Sequence, residues 1–505
     1  MVRLAQIFSD GAILQRNTQI RVFGECDKAV TVTFDKITVK AECKDGKFCA
    51  VLPPHEAGTG YTLTVTDGEE CVKVEDVACG EVFIAAGQSN MEMPLAVTDG
   101  AEDELEHCEN PQISFYSIPQ NYVKGENLNM FRFQYMDYSD PTWKKCTYDT
   151  AKDFSALGYY VAKKIQKALG VPVGVIGCNW GCRLIESFIP KWAFDRCESL
   201  IEYKEKYEKS LTEHTQEEFD EIYENFKKFL HERYLEFKWP LDVSFGNANY
   251  ASYFAHAKWV GGVKWPQGPY SADRPGHMWH NMLEDIVPYS IKFVFWCQGE
   301  GDPRGDYGKR LIVLMNAWKE AFCQNDIEFY AIEHPPYGGG RVPVGDFDVW
   351  PLNRESLRKV TLEYPGCHLV TGVGLGDIGN VHPIFKRQLG YRAARKILHN
   401  TYGVGPKADN PYAVSASFEK DCVRVKFAND EGLRLLSPTV EDLYLSVDGK
   451  DFVRAAGRIE NGELVVTAKD LENPIEVCYC YSKYFAGENI FNSAALPASP
   501  FRFVK

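Results

Sequence analysis

The sequence predicts an α/β fold in which a five-stranded parallel sheet is covered by helices and flanked at each end by an antiparallel β-sandwich. Three observations lead there. From Glu81 to about residue 406, apolar runs rich in β-branched residues alternate with segments of helical period. The five strongest runs are almost continuously apolar, the pattern of strands buried on both faces. On either side of this region helical periodicity vanishes, leaving short alternating strands separated by Gly, Asp and Lys turns. The expected domains are therefore 1–78 for the first sandwich, 79–406 for the α/β domain and 407–505 for the second sandwich. A chain of 505 residues is longer than one hydrophobic core usually serves, which agrees with several domains.

Taken in order, the first sandwich is built from QIRVFGE, AVTVTF, FCAVLPP and YTLTVT. The α/β domain has expected strands at 82–86, 173–178, 291–297, 328–333 and 368–373, and expected helices at 155–169, 307–323, 353–362 and 385–398. Residues 190–239 interrupt it. They are dense in Glu and Lys, with Leu, Ile, Tyr and Phe recurring every three or four positions, and read as a helical insertion serving as a solvated lid or a packing element. Residues 239–282 are aromatic-rich loops, suited either to stacking on a sugar ring or to ordinary burial. The second sandwich follows as VRVKFA, DLYLSVDGKDFVRA, ELVVTA and IEVCYCYS.

A formal net charge of -14 argues against nucleic-acid and anionic-membrane partners and leaves neutral ones. The opening MVRLAQIFSDGAILQRN meets Asp10 and Gly11 too early for a secretory leader, and no apolar run approaches membrane-spanning length. The 16 cysteines scatter through apolar strands (Cys43, Cys178, Cys297, Cys478) and read as reduced, buried thiols. The expectation is a soluble, cytoplasmic protein.

Chemistry gathers at the expected strand ends, where parallel sheets bind ligands. EVFIAAGQSNMEMPL, residues 81–95, reads as strand, turn and helix with Ser89 at the tip and Gly87 easing the tight backbone. A serine there is either a helix N-cap or a nucleophile; a nucleophile needs a base and oxyanion donors. The second strand ends in CNWGCRLIES, where Gly181 either brings a bare N–H close to a ligand or simply turns the chain. The third ends in WCQGEGD, where the Gln298 amide serves a ligand or the loop backbone. After the fifth comes GDIGNVHPIFKRQLGYRAARKIL, with His382 before a helix and Asp377 five residues upstream. Histidine is the side chain suited to taking a serine proton near neutral pH, and a carboxylate on its other nitrogen would fix its tautomer. A capping or buried structural histidine is the alternative.

GQSN, QGE and a following HP, joined by FSDGAILQR, PPHEAGTGYTLTV, the NWGCRLIES block, HNMLEDIVPYSIKFVFWCQGEGD, the Arg354-Glu355 pair, NVHPIFKRQLGYRAA and ALPASPFR, resemble the sialate O-acetylesterase family within the SGNH (GDSL-like) hydrolases. The resemblance extends over nearly the whole chain. It implies a flavodoxin-like three-layer core and a serine esterase that removes O-acetyl groups from sugars through an acetyl-serine intermediate. It implies Ser89 as nucleophile, His382 as base, and the Ser89 N–H, Gly181 and Gln298 as oxyanion donors. Asp377 is the expected third member of a triad. The family's Asp three residues before the His is Gly379 here, so a dyad oriented by a backbone carbonyl stays open.

Asn90, Trp180, Arg183 and Glu300 are the candidate substrate contacts. Cys182 and Arg183 stand where the family has Gly-Thr. A Cys resists positive φ, which would reshape the oxyanion loop, and Arg183 either reaches a substrate carboxylate or pairs with Glu186. QGEGD replaces the family's QGESN, so Gly301 and Asp302 alter the pocket rim, and Glu300 aligns a loop or Arg354. No cofactor and no metal are expected, because Cys178, Cys182 and Cys297 lack ligand spacing. The expected partner is a small O-acetylated sugar or oligosaccharide, and homo-oligomerisation is compatible. Sialate leads as substrate, with acetylated xylan, mannan or xyloglucan fragments as the rival. A catalytically inactive glycan-binding protein is the rival of another class, and a lipase or thioesterase is the least favoured.

Overall fold

A computed structural model of the chain describes residues 1–126, 141–236, 264–300, 302, 305–338, 349–437 and 439–505. The chain is mixed α/β with several sheets, and it divides into two compact units: Met1–Gln298 with Arg310–Phe329, and Gly299–Lys309 with Tyr330–Lys505.

The first unit is organised around the strand Cys71–Gly87. Its early residues pair antiparallel with Gly58–Thr66 and its middle pairs parallel with Ile13–Gln15. From Val77 onward every residue is buried, and here the strand takes parallel partners on both sides, Val173–Asn179 and Phe293–Cys297. The apolar run that predicted a doubly covered strand thus does so for the reason given: both faces are packed. The boundary expected at residue 78 falls inside this strand. Arg16 Nε (2.6 Å) and Gln15 Nε2 (3.0 Å) both donate to the buried Glu81 carboxylate at the junction.

Ahead of it, Val2–Leu4, Ile20–Cys26 and Lys47–Leu52 form a three-stranded antiparallel sheet. Lys47–Leu52 alternates exposed and buried residues, the period of a strand with one face in water. Cys43, expected as a reduced thiol, forms a disulfide with Cys26 instead. Two strands without a strong apolar signal extend the parallel ladder: Asn110–Ser117, parallel to Val173–Asn179, and Lys144–Cys146, antiparallel to Asn110–Ser117.

The expected helix at 155–169 is Ala156–Leu169, capped by the Ser155 hydroxyl on the Gly158 N–H at 3.1 Å and closed by Gly170 at φ +67°. Gly158 faces the sheet so closely that a Cβ would lie 3.3 Å from Ala85 and Val175 side-chain atoms. The insertion forms two helices, Glu198–Ser210 and Gln216–Glu236. Tyr207 donates to Gly268 O at 3.2 Å, and Tyr223 stacks on Tyr270 with centroids 4.3 Å apart, so these helices pack on the loop after residue 264. The aromatic stretch expected at 239–282 lies outside the described residues up to 263.

In the second unit the expected strand at 368–373 is Cys367–Val370, bonded to the neighbouring chain by Glu333 N–H to Val370 O at 2.8 Å. The helices Val349–Glu363 and Lys386–Tyr402 match the expected ones and run longer. After residue 411, two four-stranded antiparallel sheets enclose an apolar core that includes Val425, Leu464, Leu445, Val477 and Phe501. Arg354, fully buried, donates to the carbonyls of His334 (2.8 Å), Pro335 (3.0 Å), Ser482 (2.6 Å) and Lys483 (3.1 Å) and so closes the loops around it. Among the described residues no helix is long and apolar enough to cross a membrane.

Candidate active site

In the first unit the parallel register sets both Asn179 and Cys297 opposite Gly87. The residues that follow, 88–90, 180–183 and 298, therefore leave the sheet along one carboxyl edge. Gly87 has φ +145°, and a Cβ there would fall 1.9 Å from Cys297 O. Gln88 N–H donates to Cys297 O at 2.9 Å, and Trp180 N–H donates to Gly87 O at 3.0 Å, which locks all three strand ends together. The chain then enters a single helical turn, Ser89–Glu92. Its N-cap is Gln88 and no side-chain cap bond is made, so Ser89 is not there to cap a helix. Ser89 and Asn90 are both buried, at 5% and 4% exposure.

The 179–183 loop departs from expectation in three respects. The Gly181 N–H, expected as an oxyanion donor, instead donates to Glu92 Oε2 at 2.7 Å. Cys182 does take the left-handed conformation, φ +63°, that a β-carbon disfavours by about 1–2 kcal/mol. It is solvent-exposed, and the loop keeps a glycine-like backbone despite its side chain. Arg183 does not pair with Glu186. Its Nη1 meets Asp273 Oδ1 at 3.0 Å, its Nε donates to Gly181 O at 3.2 Å, and its guanidinium lies 5.6 Å from the Trp180 ring centroid. Glu186 pairs with Arg310 at 2.7 Å, both fully buried.

Trp180 is buried edge-to-face on Tyr122, centroids 5.1 Å apart, and His277 completes the cluster at 5.4 Å from Trp180 and 6.3 Å from Tyr122. Gln298, also buried, donates from Nε2 to Arg183 O at 3.2 Å.

Sequence reasoning missed Glu92 and Gln120. The Glu92 carboxylate is buried and accepts from Gln120 Nε2 at 2.9 Å as well as from Gly181. Gln120 also donates to Asn179 O at 2.7 Å. Burial pushes the Glu92 carboxyl up to about 7, against the pull of these hydrogen bonds and of Arg183. The signal was present: a carboxylate between two methionines, one helical turn after Ser89, has no reason to be there unless something inside binds it.

The second unit carries the remaining candidates. His382 is 3% exposed; burial and then the Lys386 charge lower its pKa to about 3, so the ring is neutral at working pH. Its backbone N–H, not the ring, donates to Asn380 Oδ1 at 2.9 Å. Asp377 Oδ1 accepts the N–H groups of Gly379 (2.7 Å) and Asn380 (3.1 Å), an Asx turn that shapes the loop, so the carboxylate expected to steer the imidazole is engaged with its own backbone. Lys386 is buried with Nζ on Pro383 O at 2.7 Å. Glu300 and Asp302 are buried, and Asn353 Nδ2 ties Gly299 O (2.9 Å) to Asp302 O (3.3 Å). Arg354 serves the loop carbonyls described above. Gly301 lies outside the described residues.

No family model matches the chain. Sialate O-acetylesterase of Rattus norvegicus is 21% identical over 434 residues, spanning 77% of this chain and 72% of its own. The enzyme of the same name from Homo sapiens is 24% identical over 201 residues, 37% of this chain and 38% of its own. The crystal structure of a carbohydrate acetylesterase from Xanthomonas citri shares the fold, with a TM-score of 0.75 at 22% identity over 99% of each chain. The relatives define the class of this protein, an esterase. Within that class the chain is similar to the sialate O-acetylesterases.

Proposed function

We propose that this esterase removes O-acetyl groups from carbohydrate through an acetyl-serine intermediate, on an SGNH-type core. His382 takes the proton of the Ser89 hydroxyl, the alkoxide attacks the acetyl carbonyl, and the Ser89 N–H and the Gln298 amide receive the tetrahedral oxyanion. The sugar hydroxyl leaves with the proton from His382. Water, activated by the same imidazole, then frees acetate and restores the serine. Gly181 acts in this scheme as the turn that Glu92 holds. The observation that carries the reading is the common register of Gly87, Asn179 and Cys297, which brings Ser89 and Gln298 to one edge. A neutral imidazole is the form that accepts a proton, and burial favours that form at His382.

Sialate is the substrate the family name favours. A neutral acetylated oligosaccharide is the second reading, and one feature favours it: Arg183, the cation nearest in sequence to the candidate loop, is paired with Asp273 and so poorly placed to bind a carboxylate. Acetate release measured across acetylated sialosides and acetylated xylan, mannan and xyloglucan fragments separates the two. Ser89→Ala should abolish release from every member of the panel while leaving the melting temperature unchanged. Equal, non-zero rates in the two proteins would sink Ser89 as the nucleophile, and no release from either would leave the glycan-binding alternative.

A further inference from the structure

Glu92 is a buried carboxylate that the scheme above does not consume, and both of its oxygens are engaged. Oε2 accepts the Gly181 N–H and Oε1 accepts the Gln120 side chain. It lies in the helical turn that begins with Ser89, so one side chain joins the nucleophile's turn to the 179–183 loop. The far side of this clamp is itself anchored. Gln120 reaches Asn179 O, while the carbonyls of its neighbours Asn121 and Tyr122 accept from Asn281 Nδ2 (2.8 and 2.9 Å), and Tyr122 O accepts from Arg274 Nη2 at 2.8 Å. The same loop that Glu92 pins also carries Arg183, whose carbonyl holds the Gln298 amide.

We propose that Glu92 is a positioning residue: by accepting the Gly181 N–H and the Gln120 amide it fixes the 179–183 loop, and through it the Gln298 donor, relative to Ser89. The proposal rests on the acyl-transfer reading of Ser89. A carboxylate suits the task because both groups aimed at it are donors; a protonated carboxyl would turn one oxygen into a donor facing an N–H. Glu92 is faced by Gln120 from the 118–122 loop, and by the Gly181 N–H and the Arg183 charge from the 179–183 loop. Burial raises its pKa to about 7, so the clamp weakens as pH falls through neutrality, whereas His382, lowered to about 3, contributes no limb there.

The test uses the full chain and an acetyl ester substrate, with Glu92→Ala, Glu92→Gln and wild type. Glu92→Ala should lower kcat about 100-fold, the cost of a misplaced donor, with KM nearly unchanged. Glu92→Gln keeps one acceptor oxygen and should recover to within about tenfold of wild type at pH 8. The acid limb of kcat/KM near neutral pH should be present in wild type and absent from Glu92→Gln. Wild-type kcat in Glu92→Ala, a change confined to KM, or an unaltered acid limb in Glu92→Gln would each overturn the proposal. Should wild type release no acetate from any ester, the acyl-transfer reading fails instead. Hydrogen exchange then decides the clamp alone: the Gly181 amide should be protected in wild type and fast in Glu92→Ala, and equal rates would refute it.

Discussion

The edge that carries Ser89 and the loop that carries His382 are closed by different means. At Ser89 the main chain does the work: three strand ends in register, a glycine too crowded for any side chain, and carbonyl-to-amide bonds between neighbouring strands. At His382 short polar side chains do it, with Asp377 and then Asn380 each folding back on the amides that follow. The first kind of closure follows from apolar runs and a glycine, which any reading of the sequence can see. The second turns on how an Asp spends its oxygens, and that choice lies between two plausible uses until the loop is built.

The sharpest way to break this contrast is Gly87→Ala. A Cβ 1.9 Å from Cys297 O cannot be relieved by a rotamer change, so the loss should be about 4 kcal/mol or more, read by urea unfolding and by the yield of folded protein. A well-folded, active variant would show that the three strand ends are not locked as described. Next comes Gln298→Ala, which should lower kcat by about 100- to 1,000-fold with the fold kept, as for loss of one oxyanion donor. A loss under about tenfold would leave Gln298 only its bond to Arg183 O.

Asp377 gives the test that most directly sharpens the comparison. An Asn at 377 accepts the same two N–H groups through its Oδ1, so Asp377→Asn should keep kcat within about threefold if the residue only forms a turn. A fall of about 10,000-fold would restore it as the triad carboxylate. The smallest effect is expected at Cys182. Replacing it by Gly removes the left-handed strain at φ +63° and should stabilise the first unit by about 1 kcal/mol, measured as a shift in denaturant midpoint at constant slope.

Much of the architecture was legible because burial on both faces leaves a strand no choice of residues. The strands at 173–179 and 293–297 and the helices at 156–169 and 386–402 appear within a few residues of expectation. Asn110–Ser117 was not legible: it begins with polar residues, and it forms a strand because Val173–Asn179 offers it a parallel edge. Residue 78, where the sequence pattern changes, lies inside a strand because the change from alternating to continuous burial happens within Cys71–Gly87. At the site, Gly87 and the Ser89 turn were readable from local chemistry. The partners of Arg183 and Gly181 were not, since Asp273 and Glu92 lie about ninety residues away in either direction. The Cys26–Cys43 disulfide was not legible either, because pairing depends on which loops the fold brings together and not on cysteine number.

The strand Cys71–Gly87 belongs to two sheets at once, and no linker separates its duties. The β-structure ahead of it is thus not an accessory that could be trimmed away or exchanged between enzymes. Cutting the chain at residue 78 would remove the Ile13–Gln15 strand and the Arg16 and Gln15 contacts to Glu81, leaving that carboxylate buried without them at the base of the segment that delivers Ser89. Any tilt of the front sheet is inherited six residues later by the glycine on which the Ser89 turn pivots.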